Sequence, residues 1–83
     1  MRRIQVPDVK RELQRQLDHA QRSDLSYLDV RAGELHDDLG AKDRVPLVCH
    51  VMEKFRRPGV DEVVDGPPSG QGSSFTIRYK LPR

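Results

Sequence analysis

The last third of the chain carries a pattern that few small folds satisfy. Val48, Val51, Met52 and Phe55 recur on one face of a segment that opens near Val45-Pro46. This spacing predicts a helix whose polar side extends over 45–57. The turn Pro58-Gly59 stops it, and a short β-like run, Asp61–Asp65, follows. After a tip rich in Gly, Pro and Ser, Gly66–Ser74, the segment Phe75–Leu81 alternates strictly. Phe75, Ile77, Tyr79 and Leu81 point one way while Thr76, Arg78 and Lys80 point the other, as in a strand with one buried face. Val63 and Val64 supply the partner strand, and a direct connection makes the pair antiparallel. The tip is longer than a tight hairpin turn and holds no large apolar side chain, so it is expected to be mobile.

Upstream, Pro7 and Asp8 open a first helix, with Val9, Leu13, Leu17 and Ala20 forming one apolar stripe. Ser23-Asp24 breaks it, and residues 1–5 are expected to be disordered. Leu28 and Val30 alternate with Tyr27, Asp29 and Arg31, a short strand. A second helix, Ala32 to Leu39, presents Leu35 and Leu39 and ends at Gly40, a residue suited to a left-handed stop. The third helix has Asp43 close to its amino end. The expected core is Val9, Leu13, Leu17, Leu35, Leu39, Val48, Val51, Met52, Phe55, Phe75, Ile77 and Tyr79.

The resulting order, helix, strand, helix, helix, strand, strand, resembles the winged helix-turn-helix domain. That resemblance covers nearly the whole chain and is one of topology. It implies an α+β fold of three helices and a small antiparallel sheet, in which Leu28–Val30 forms an edge beside the hairpin. The segment Gly70–Arg83, together with Ala32-Gly33-Glu34-Leu35-His36, is also similar to a group of small prokaryotic proteins, a likeness that carries no mechanism with it.

A winged helix implies duplex DNA as partner, read by the third helix and the hairpin, in a transcriptional regulator or an accessory of a DNA-directed system. At about 100° per residue, Leu47, His50, Lys54 and Arg57 fall within one quadrant opposite the apolar stripe, with Arg44 and Arg56 flanking. His and Arg suit base edges and Lys suits phosphate. Glu53 beside them opposes a strong phosphate footprint. On the wing, Arg78 and Lys80 share the outward face and Gln71 sits in the tip. Charge sharpens the picture only by its distribution, because the net value is +2. Residues 1–43 hold eight Lys/Arg against nine Asp/Glu, and residues 44–83 hold seven against four. The rival reading is a protein-interaction adaptor that touches no DNA.

Other classes fare worse. His36, Asp37, Asp38, Cys49 and His50 include metal-ligand types, but one Cys adjacent to a His on a helix does not match a finger, and no metal or cofactor is expected. Cys49 as a nucleophile lacks a placed base, the glycine-rich tip lacks a GK[ST] sequence, and the pairs Asp37-Asp38 and Asp61-Glu62 read as surface, so no enzyme is expected. One cysteine allows no internal disulfide and fits a reducing cytoplasm. No apolar run approaches the roughly 20 residues of a membrane span. Eighty-three residues, 35% of them hydrophobic and none of them Trp, make one domain with a modest core, which favours a homodimer.

Overall fold

The structure, a computed structural model, describes residues 4–66 and 72–82. It is a small α+β domain with elements α1 (Val6–Arg22), β1 (Tyr27–Arg31), α2 (Ala32–Asp38), α3 (Val45–Phe55), β2 (Glu62–Asp65) and β3 (Thr76–Lys80).

Helix α1 starts where the Gln5 backbone N–H donates to Asp8 Oδ2 at 2.8 Å, with Pro7 pre-set for the first turn. Its stripe, Val9, Leu13, Leu17 and Ala20, is buried. It ends in a paired stop: Asp24 N–H donates to Gln21 O and Leu25 N–H to Ala20 O, both at 3.1 Å, around Asp24 at φ 62°. Helix α2 stops the same way on Gly40 at φ 65°, with Gly40 N–H on Asp37 O and Ala41 N–H on His36 O. That glycine has the left-handed role expected of it.

The sheet is antiparallel throughout, in the order β1-β3-β2. Strand β3 is therefore central, and its alternation settles which face meets the helices. Ile77 and Tyr79 are fully buried on one side, with Val30 opposite Ile77 on β1. The Tyr79 hydroxyl donates to Met52 O at 2.7 Å, so its one polar atom is satisfied inside the core and ties β3 to α3. Strands β1 and β2 are the two edges, and β2 is short and broken by a register shift between Val63 and Asp65.

The core departs from the expected list by the half-burial of Phe55 and by additional members. Ile4, among the residues expected to be disordered, is 1% exposed and belongs to the hydrophobic core. Phe55 packs against the margin of the core and is only half-buried, because α3 ends there. Val30, Ala32, Cys49 and Leu81 complete the interior.

Candidate nucleic-acid interface

Helix α3 is set by a turn in which Asp43 adopts φ 55° and the Arg44 backbone N–H donates to His36 Nε2 at 3.1 Å. His36, considered above only as a metal-ligand type, thus pins the start of α3 to the end of α2. Beyond Arg44, Pro46 occupies the first turn. Val48, Cys49, Val51 and Met52 then form the buried face. His50, Glu53 and Lys54 are exposed and Leu47 and Arg44 are half-buried.

Arg57 does not join this face. The helix ends at Phe55, and Arg56 takes an extended conformation, so helical spacing stops before Arg57. Its backbone N–H instead donates to Asp61 Oδ2 at 2.7 Å, and its Nη2 donates to Lys80 O at 2.9 Å. Its Nε is buried 3.5 Å from Asp61 Oδ2, an ion-pair contact without hydrogen-bond geometry. Asp61, read from sequence as surface, is 3% exposed and also accepts from the Lys80 backbone N–H at 2.8 Å. A carboxylate that takes N–H donors from a helix end and a strand leaves no mark in composition or periodicity. The opposing charge of Glu53 is neutralised locally, because Arg56 Nε donates to Glu53 Oε1 at 3.0 Å. Lys54 and Arg44 have no ion-pair partner among the described residues.

The hairpin cations divide. Arg78 donates through Nε and Nη2 to both carboxylate oxygens of Asp29, at 2.8 and 3.1 Å, and stacks 4.4 Å over the Tyr27 ring. Those hydrogen bonds to Asp29 hold the guanidinium pKa above its ordinary value. Lys80 is exposed, and its ammonium has no ion pair among the described residues. By strand alternation both point away from the side that buries Ile77 and Tyr79 against the helices. They therefore do not continue the exposed face of α3. Gln71 lies outside the described residues, as do all of 67–71.

What does sit beside α3 is the returning arm of the hairpin tip. Cys49 Sγ donates to Gly72 O at 3.5 Å, Gly33 N–H to Ser73 O at 2.9 Å, and Ala32 N–H to Phe75 O at 2.8 Å. Gly33 allows this approach, since a Cβ there would stand 3.0 Å from Ser73 O. The arm is thus tied to the first turn of α2 and the middle of α3.

Among the described residues no three His, Cys, Asp or Glu side chains group so as to hold a metal ion, and Cys49 is a buried free thiol. No described helix is long and apolar enough to cross a membrane. No family model, curated protein or solved structure matches the chain.

Proposed function

We propose that the chain is a winged helix-turn-helix protein that binds duplex DNA, with α3 entering the major groove and the β2–β3 hairpin as the wing. The observation that carries this reading is the outward face of α3. His50 and Lys54 are exposed there, Arg44 stands at its start, and the only nearby acid on that helix, Glu53, is already paired with Arg56. Support comes also from the element order, from the sheet order β1-β3-β2, and from the anchoring of the hairpin arm on Cys49 and Gly33. In this arrangement Arg44 and Lys54 meet phosphate, while His50, flanked by Leu47, faces base edges. A transcriptional regulator or an accessory of a DNA-directed system is the corresponding role.

Titration of random-sequence duplex over a range of salt tests it. Wild type should bind at low ionic strength, and Arg44→Ala and Lys54→Ala should each flatten the log–log salt slope by about 0.9. The adaptor reading has its own support: Arg57 and Arg78 are held by Asp61 and Asp29, and Tyr27 and Val60 are exposed on the sheet side. Absence of salt-sensitive binding by the wild type would select the adaptor.

A further inference from the structure

Strand β1 has one side without a strand partner. Ser26 O accepts from Leu81 N–H at 2.9 Å and Ala32 N–H donates to Phe75 O at 2.8 Å, so the even-numbered residues of this stretch turn their backbone groups toward β3. Tyr27, Asp29 and Arg31 turn theirs outward. The outward N–H and C=O of Tyr27 and Asp29 and the Arg31 N–H have no hydrogen-bond partner among the described residues. A groove of about 300 Å³ follows this edge, with residues 29–31 on one side and Gln16 of α1 and Glu34, Asp37 and Asp38 of α2 on the other. The three α2 acids are exposed. Asp38 accepts from the neutral Gln16 Nε2 at 2.9 Å, with the charge of Arg15 further off. Asp37 stands 3.7 Å from His36 Nδ1, and Glu34 has no ion pair among the described residues. Asp29 also borders the groove, but Arg78 meets its charge at 2.8 Å. Three acids therefore face the groove against one lining cation, Arg31.

We propose that this edge takes up an extended basic segment of a partner protein as a fourth, antiparallel strand, its Lys or Arg side chains meeting Glu34, Asp37 and Asp38. Open backbone groups are a template for such a strand, and the acids beside them select its charge. The sheet geometry also fixes its pattern. Residues opposed across an antiparallel pair put their side chains on the same face. Asp29 reaches Arg78 on the face turned away from the helices, so the incoming residues that bond to the edge place their side chains on that face, beside the exposed Tyr27 ring. The residues between them turn toward the helices and the α2 acids, and these are the basic ones. The segment therefore alternates apolar or β-branched residues at bonding positions with Lys or Arg between them. Nucleic acid and an anionic membrane are opposed as occupants by the same three acids. A second copy is opposed as well, because its β1 would set these acids against themselves and its β2 carries Glu62 and Asp65. One short strand makes a contact below standard interface size, so the dissociation constant should be on the order of 10–100 μM.

This strand addition does not rest on the DNA reading and is tested without DNA. The probe is a capped synthetic heptapeptide, Lys-Val-Lys-Val-Lys-Val-Lys, titrated at low ionic strength into the wild-type protein and followed through the protein's amide NMR signals. Saturable shifts should centre on Tyr27, Asp29 and Arg31, with slowed hydrogen exchange at the Asp29 and Arg31 N–H. Methylating the backbone nitrogens of the Val residues removes the donors that face the edge and should abolish binding. Methylating those of the inner Lys residues leaves these donors and the charge in place and should preserve it. The double variant Glu34→Gln/Asp37→Asn, changed only at exposed positions, should keep its circular dichroism spectrum and bind the unmodified peptide roughly tenfold more weakly. A peptide of the same pattern with Glu in place of Lys should not bind. Absence of binding by the Lys-Val peptide, shifts centred away from β1, or equal effects of the two methylation patterns would each overturn the proposal, the last by reducing it to unspecific charge attraction.

Discussion

Replacing Asp61 with alanine should be among the most damaging single changes in this protein. The side chain is wholly buried and accepts two backbone N–H donors, from Arg57 at 2.7 Å and Lys80 at 2.8 Å. Arg57 lies just past the end of α3 and Lys80 closes β3, so one carboxylate joins two elements that share no ladder. Alanine would strand both donors beneath the surface at about 1–3 kcal/mol each and leave the Arg57 guanidinium without its acid. The expected loss is about 3–5 kcal/mol, a large share of the roughly 5–15 kcal/mol that holds a domain of this class together. At about 4–8 °C per kcal/mol in a chain this short, the melting midpoint should fall by roughly 15 °C or more. Asparagine keeps one acceptor oxygen and turns an amide toward the other donor, so Asp61→Asn should cost about half as much. Urea unfolding followed by circular dichroism measures both, with Asp37→Ala as a control, because the Asp37 side chain is 86% exposed and should shift stability by no more than about 0.5 kcal/mol. An Asp61→Ala protein within about 1 kcal/mol of wild type would refute the view that this carboxylate replaces a missing ladder.

Gly33→Ala should destabilise by about 1–2 kcal/mol despite alanine's better helix propensity, because the new Cβ would press on Ser73 O, the acceptor of Gly33's own N–H. Urea midpoints read this directly, and a stabilised variant would show that the hairpin arm gives way freely. Glu12 has its pKa lowered below 4.5, chiefly by the side-chain hydrogen bond from Arg15. A depressed carboxyl contributes stability above the unfolded pKa and loses it as pH falls through the folded one. The stability gap between wild type and Arg15→Ala should therefore be present at neutral pH and shrink progressively as pH falls below 4.5; urea titrations at a series of pH values check it.

Much of this architecture was legible because it rests on periodicity. The stripe Val9, Leu13, Leu17, Ala20 and the alternation Phe75, Ile77, Tyr79 are buried as their spacing requires. Gly40 takes the positive φ expected at a helix stop. What escaped the sequence was set by tertiary contact. Ile4 precedes any repeat, so nothing local marks it for the core. His36 gained its acceptor role only when the turn after α2 brought the Arg44 N–H to it. Asp61 sits beside Glu62 and looks like half of a charged surface pair, yet one is buried and the other exposed. Alternation along a strand assigns opposite sides, but only the packing of α3 against the sheet tells which acid is covered.

The candidate site shows the same division in its charges. The basic excess of residues 44–83 invited a single stripe from α3 to the hairpin. Pairing dismantles it: Arg56 serves Glu53, Arg57 serves Asp61, and Arg78 serves Asp29, an acid 49 residues away in sequence. Arg44 and Lys54 remain on the helix side, and Lys80 on the far face of the sheet. Two phosphate contacts per protomer correspond to a salt slope of only about −2, a footprint too small for firm binding by one copy. If the proposed DNA reading holds, the double variant Arg44→Ala/Lys54→Ala should bring that slope close to zero in a salt titration of duplex binding, and a slope that persists would place the footprint elsewhere on the surface.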